Sequence, residues 1–338
     1  MRNCGAIVLA AGKGTRMKSE RAKVVFQMAE KPLVERVVNT AISMNCNKIG
    51  VVVGYRKEEV MNALPENDKI TFVEQIEQNG TGHAVLMARE LFENYEGDLF
   101  ILCGDVPLLS KNTLDKLLQT HREQNAACTV LTAVLEDAGT YGRIVRSPEG
   151  KVLRIVEFKD ASEQEREIGE FNTGIYCFDA KLLFTALGKI GKDNKQGEYY
   201  LTDTLEILND MGKVVSAVIT DDLDEVSGIN SQKELAHLEM NHYRKVKNHW
   251  LANGVIIENP ESVIIGEDVE IENDAEIGAN TIIKGKSKIG FGAIIGPNSY
   301  LEDAVINKLA HLKGYNVVVR STVEESSVLE FKETKINV

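Results

Sequence analysis

No apolar run in this chain is long enough to span a bilayer, and the first, ending at Ala11, is too short for a signal peptide. The chain also lacks any C-x-x-C pair. Its five cysteines, Cys4, Cys46, Cys103, Cys128 and Cys177, are odd in number and scattered, so they indicate neither a zinc site nor a disulfide framework. They read as reduced, mostly buried thiols of a cytoplasmic protein. Excess basic charge is missing too. The formal net charge is −12, which argues against a general binder of nucleic acid or anionic membrane. Two nucleotide fingerprints are absent. The dinucleotide pattern needs a glycine where Met17 stands, and no stretch ends in Gly-Lys-Ser/Thr after four spacers, as a Walker loop does.

What is present begins at the end of the first apolar run, in Ala10-Ala11-Gly12-Lys13-Gly14-Thr15-Arg16-Met17, with Lys23 close behind. Gly12 and Gly14 let backbone approach a ligand and tolerate positive φ. Successive amides in such a turn can point at an anion. Arg16 adds a planar fork suited to phosphate oxygens. Lys13, Lys18, Arg21 and Lys23 complete a local basic segment in an acidic chain. On these residues alone two readings stay open: a nucleoside triphosphate cradle, or an ordinary strand-to-helix turn with a solvated basic face.

A length of 338 residues allows two or three domains. The first part alternates strand and helix. Ala6–Leu9, Val51–Val53, a short stretch near Phe72 and Asp98–Cys103 read as strands. Leu33, Val34, Val37, Val38, Ala41 and Ile42 form one helix face behind Pro32. This alternation predicts a mostly parallel sheet with helices on both faces and ligands beyond the carboxyl ends of the strands. From Gly142 the pattern changes, and Ser147-Pro148-Glu149-Gly150 marks a hairpin turn. Ser231 to about Trp250 is charged and helical in pattern. Ile265, Ile271, Ile277, Ile283, Ile289, Ile295 and Leu301 then recur at six-residue spacing, with small residues or valine two positions earlier. That is the hexapeptide signature of a parallel β-helix. The period fades after Leu301, so a short β-helix of little more than two coils is expected.

Leu9–Met17, Gln78–Ala84, Gly104–Pro107, Tyr141-Gly142-Arg143-Ile144, Ile155–Asp160, Asn172-Thr173-Gly174 and Gly197–Asp203 together resemble the bacterial N-acetylglucosamine-1-phosphate uridylyltransferase/glucosamine-1-phosphate acetyltransferase family. The resemblance spans roughly residues 4–240 and continues more weakly into the repeat. It implies a Rossmann-like α/β nucleotidyltransferase domain with a mixed central sheet over 1–229, a helical arm over 230–252, and a short left-handed parallel β-helix over 253–338.

By the same resemblance, Leu9, Ala10, Ala11, Gly12, Gly14, Gln75, Gly80 and Thr81 hold the nucleotide, with Gln75, Gly80 and Thr81 reading uracil. A glutamine amide offers a donor and an acceptor to a base edge; taken alone, Gln75 also reads as a surface residue. Arg16 and Lys23 are the implied catalytic phosphate-handling pair. Asp105 and Asn230 are the implied Mg²⁺ ligands. Mg²⁺ takes few protein oxygens, and the bland reading of Asp105 is an Asx turn. Gly142, Glu157, Asn172, Tyr200 and Thr202 are placed on the sugar side, although a tyrosine here is also compatible with core packing.

The expected reaction joins UTP and a sugar 1-phosphate, giving UDP-N-acetylglucosamine and pyrophosphate, with a possible homotrimer formed through the β-helix and no nucleic acid or membrane partner. Two departures from the family stand out. Cys103 replaces its usual tyrosine, which leaves the sugar fit open. His311-Leu312-Lys313-Gly314 does not match its acetyl-transfer stretch, so His311 reads as a surface histidine and acetyl transfer is not expected. Transfer to glucose 1-phosphate, use of dTTP, or a catalytically weak sugar-nucleotide scaffold are the alternatives.

Overall fold

The computed structural model describes residues 2–337. They form two compact units, one ending at Glu234 and the other beginning at Leu235.

The first unit is built on a nine-stranded mixed sheet. Its strands are β1 (Asn3–Ala10), β2 (Ile49–Val53), β3 (Ile70–Glu74), β4 (Gly97–Cys103), β5 (Cys128–Val134), β6 (Arg143–Arg146), β7 (Val152–Val156), β8 (Glu170–Asp179) and β9 (Val215–Ile219). The main order is β9-β5-β8-β4-β1-β2-β3, with β6 paired to β8 and β7. β1, β2, β3 and β4 are mutually parallel, whereas β8 runs antiparallel to β4 and β5. The predicted hairpin is β6–β7, joined antiparallel across Ser147–Gly150.

β1 shows why this sheet is central. Alternate residues of a strand face opposite sides. Ala6, Val8 and Ala10 enter one apolar cluster with the helix Leu33–Ser43. Ile7 and Ala11 enter a second cluster on the other side. Both faces are therefore covered, and a near-continuous apolar run is the pattern such a strand requires. At the carboxyl edge the Gly104 amide donates to Leu9 O at 2.9 Å, tying the ends of β1 and β4 together.

The second unit contains the helix Gln232–Ala252 from Leu235 onward and stacked coils of short strands, Ile256–Ile257 through Thr334–Ile336. Among the described residues the coils form parallel sheets of five, five and four strands. Ile265, Ile271, Ile277, Ile283, Ile289, Ile295 and Leu301 are buried as one apolar column. Val246 and Trp250 of the helix pack on that column, and Lys247 Nζ donates to Val263 O at 3.0 Å.

The repeat does not end near Leu301. Ile306, Leu312, Val318, Val323 and Leu329 continue the column. Early partners are eighteen residues apart, as in Ile265 against Ile283; later ones are seventeen apart, as in Ile289 against Ile306. One corner of each later coil is a residue shorter, beginning at Glu302-Asp303-Ala304. This step breaks a six-residue count but preserves the three faces. Asn316 fills one later corner fully buried, its Nδ2 donating to Glu330 O at 2.7 Å and its Oδ1 accepting from Gly314 N at 2.9 Å.

Candidate active site

The turn after β1 passes through Gly14, whose φ of 65° is left-handed. A Cβ there would lie 2.5 Å from Lys23 Cβ, so glycine lets the Lys23 stem pass beside the turn. Lys23 begins a short 3₁₀ turn, Lys23–Val25, and its ammonium reaches the Asp105 carboxylate. Asp105 follows β4 directly. The same ammonium donates to Asn230 Oδ1 at 3.0 Å. Asn230 is itself held, its amide donating to Glu234 Oε2 at 2.7 Å and its Nδ2 to Gly228 O at 3.2 Å. Three groups separated by as many as 207 residues thus meet at one point, with 15% and 19% of the Lys23 and Asp105 side chains exposed.

This point lies in a cleft of about 310 Å³ lined by Leu9, Ala10, Ala11, Gly12, Lys23, Gln75, Gly80, Thr81, Cys103 and Asp105. The structure therefore brings most of the expected nucleotide residues and half of the expected metal pair to one cavity at the carboxyl edge of the sheet. Gly80 has φ 106°, and a Cβ would sit 2.6 Å from Tyr199 O. That close approach lets two loops join: Tyr199 N donates to Asn79 O, Gly82 N to Tyr199 O, and Leu201 N to Thr81 Oγ1 at 3.1 Å. Arg16 is exposed and makes no hydrogen bond or ion pair among the described residues. Cys103 Sγ approaches Gly174 O at 3.4 Å, and burial pushes its thiol up to about 12.

The expected sugar-side residues form a second group. Thr202 Oγ1 donates to Glu157 Oε1 at 3.0 Å, and a Cβ on Gly142 would lie 3.6 Å from Glu157 Oε2. Asn172 N donates to Gly142 O, and Asn172 Oδ1 accepts from Gly174 N at 3.0 Å. Burial raises the Glu157 carboxyl, and the Thr202 hydrogen bond opposes the shift. Tyr200 behaves differently. Its ring is buried, and its hydroxyl is already held by Asp160 Oδ2 at 3.1 Å and Gln196 Nε2 at 2.8 Å. It props this wall through Asp160 rather than presenting its hydroxyl.

Three participants were not singled out from sequence: Gln78, whose Nε2 donates to Ala11 O at 2.8 Å, Glu198, which lines the cleft, and His83, beside Gln75. The shared Gln78–Ala84 segment contains Gln78 and His83, and the shared Gly197–Asp203 segment contains Glu198.

The residues fit a divalent cation by a direct observation. The Asp105 carboxylate and Asn230 Oδ1 already share one cationic group, the Lys23 ammonium, as their common partner. Both are hard oxygen donors of the kind Mg²⁺ accepts, leaving its other positions to phosphate and water.

The cleft at the ends of the parallel strands thus combines a glycine turn, the Lys23 ammonium, and carboxylate and amide oxygens at one point. The chain belongs to the nucleotidyl transferase family, whose model matches residues 5–251. Its relatives include the bifunctional protein GlmU of Brevibacillus brevis, 46% identical over 322 residues, covering 95% of this chain and 69% of that protein. GlmU of Bacillus velezensis is 41% identical over 318 residues (94% and 69%), and that of Carboxydothermus hydrogenoformans 43% over 317 (94% and 70%). A crystal structure of UDP-glucose pyrophosphorylase complexed with UDP-glucose shares the fold, with TM-score 0.60 and 18% identity over 72% of this chain and 100% of that one. The chain is a sugar-1-phosphate uridylyltransferase of the GlmU type. Enzymes of this type act on a nucleotide and a sugar phosphate and use a divalent metal. Among the described residues no helix is long and apolar enough to cross a membrane.

Proposed function

We propose that the chain transfers the uridylyl group of UTP to N-acetyl-α-D-glucosamine 1-phosphate and releases pyrophosphate, supplying UDP-N-acetylglucosamine for cell-wall and envelope precursors. The observation that carries this reading is that Lys23 and Asp105, lining the same cleft as Gln75 and Gly80, meet each other there while Asn230 Oδ1 accepts from the same ammonium. A sugar-phosphate oxygen attacks the α-phosphorus of UTP; the new P–O bond forms as the bond to pyrophosphate breaks. The second pKa of a phosphate monoester is about 6, so the nucleophile is already anionic near neutral pH and needs no general base. The protein's task is to align the two phosphates and neutralise their charge.

Leu9, Ala10, Ala11, Gly12 and Gly14 shape the nucleotide side, while Gln75, Gly80 and Thr81 read the base. Arg16 and Lys23 meet the phosphates. Asp105 and Asn230 would hold Mg²⁺, which supplies neutralisation of phosphate charge. Gly142, Glu157, Asn172 and Thr202 receive the sugar, with Tyr200 supporting that wall.

The 338-residue chain is further proposed to lack acetyl transfer. His311 lies on a coil strand beside inward-facing Leu312, and by its sequence His311-Leu312-Lys313-Gly314 reads as coil surface and not as an acetyl-transfer stretch. A homotrimer through the coils is supported by Ile264, Ile282, Tyr300 and Val317, register partners that stay half-exposed beside buried neighbours.

A pyrophosphate-release assay across nucleotide and sugar-phosphate pairs tests the main reading. Turnover with UTP and N-acetylglucosamine 1-phosphate is expected to exceed that of every other pair; preference for glucose 1-phosphate or dTTP, or no turnover, would replace it. Thiol release from acetyl-CoA with glucosamine 1-phosphate is expected to stay at background.

A further inference from the structure

Gln75 is only 4% exposed, yet it lines the cleft. Both Nε2 hydrogens are committed. One is donated to Gly80 O at 3.3 Å, the other meets His83 Nδ1 at 3.0 Å. A backbone carbonyl can only accept. It therefore determines which end of the amide is nitrogen, since the reverse orientation would press two oxygens together. His83 Nδ1 must then be the acceptor, which places the imidazole proton on Nε2. Gln75 Oε1 has no partner among the described residues and is the one polar atom of this amide left for a ligand.

We propose that His83 is a positioning residue for nucleobase selection: as a neutral imidazole it holds the Gln75 amide so that its carbonyl, and not its NH₂, meets the base. This rests on the reading of the cleft as a UTP site and adds a second residue to it. The chemistry that follows is specific. An outward carbonyl accepts from the N3–H of a uracil or thymine ring. A cytosine ring presents an unprotonated N3 there, and two acceptors would face each other. A buried polar group left without its partner is the strongest form of such discrimination. His83 also stacks with Tyr199, with ring centroids 6.3 Å apart, and Tyr199 is hydrogen-bonded to Asn79 and Gly82. The imidazole is thus fixed by packing on one side while it fixes Gln75 on the other.

The test is the ratio of kcat/KM for UTP over CTP in wild type, His83→Leu and His83→Asn. Leucine removes the acceptor; asparagine can place Oδ1 where Nδ1 stood. Loss of one neutral hydrogen bond predicts a fall in the ratio of about three- to tenfold in His83→Leu, with KM for the sugar phosphate unchanged and most of the ratio restored in His83→Asn. A His83→Leu enzyme that is slower with both nucleotides in equal measure, its ratio unaltered, would assign His83 to packing only and overturn the proposal. Should His83→Leu fail to fold, the long-range ¹H–¹⁵N spectrum of the wild-type histidines decides: His83 is expected as the Nε2–H tautomer at neutral pH, and an Nδ1–H tautomer overturns the proposal. A wild type that prefers a base without an imide N–H overturns the functional reading itself. A wild type that prefers UTP together with an unaltered His83→Leu ratio overturns only the role of His83.

Discussion

Lys23 stands at the position we assign to the metal, so the two must compete. Its ammonium contacts the Asp105 carboxylate and Asn230 Oδ1, the two oxygens that would hold a divalent ion. A cation entering the free enzyme must break both contacts and push a positive charge aside. A hydrogen bond to a charged group contributes about 1.5–3 kcal/mol. The pair is partly exposed, with side chains 15% and 19% accessible, so a value near the lower end applies. Taking about 2 kcal/mol, Lys23→Met should tighten metal binding by roughly 30-fold. Methionine keeps much of the stem beside Gly14 while removing the charge. The same variant should lose turnover, because the ammonium that yields to the metal is the one proposed to meet the phosphates. The two effects have opposite signs, which a general loss of structure would not produce. Calorimetric titration with Mg²⁺ or Mn²⁺, without nucleotide, measures the first, and the pyrophosphate assay the second. Asp105→Asn is the control and should lose metal binding. Unchanged or weaker metal affinity in Lys23→Met would refute the shared position.

Arg16→Ala should lower turnover more than UTP affinity, by about 2.7–4 kcal/mol in the barrier if its free guanidinium meets charge redistributed in the transition state; steady-state kinetics beside UTP calorimetry checks this, and a pure affinity loss would make Arg16 a ground-state contact. Two glycines should respond in opposite ways. A Cβ on Gly296 would lie 2.5 Å from backbone atoms of Lys313 and Gly314, so Gly296→Ala should destabilise the coils by about 1–3 kcal/mol, read as a lower thermal midpoint, whereas Gly12 has nothing within 4 Å of its Cβ position, so Gly12→Ala should fold normally and bind UTP more weakly, as calorimetry would show. Burial raises the Asp203 carboxyl from its ordinary 3.8 to about 6. The folded chain then holds a proton that the unfolded chain has released, so this contribution to stability is full below 3.8 and lost as pH rises through 6. Asp203→Asn should accordingly be more stable than wild type above pH 6 and converge with it below 3.8, measured by urea midpoints.

Local patterns were readable in the chain because their causes are local. The glycine turn after an apolar run, the Ser-Pro-Glu-Gly hairpin and the six-residue isoleucine spacing each reflect backbone geometry within one element. The six-residue count failed after Leu301 for an equally local reason. One shortened corner shifts every later residue by one, although Ile306, Leu312 and Val318 remain in the same buried column. The partners of the Tyr200 hydroxyl, Asp160 and Gln196, are not legible in the sequence, which offers both a sugar-side place and core packing for this ring.

The amino-acid order by itself determined the alternating strands and helices of the first unit, the coil repeat of the second, and the acidic, thiol-bearing character of the whole. What it left undecided was which polar groups share a partner. Lys23 lies 82 residues from Asp105 and 207 from Asn230; the mixed sheet sets the ends of β1 and β4 side by side, and the Ile229 amide, donating to Asp105 O at 2.9 Å, brings Asn230 to the same cation position. The orientation of Gln75 was likewise decided in three dimensions. An amide has two nearly equivalent faces until a carbonyl and an imidazole take both hydrogens, and only the folded chain sets Gly80 O and His83 Nδ1 within reach of the same nitrogen.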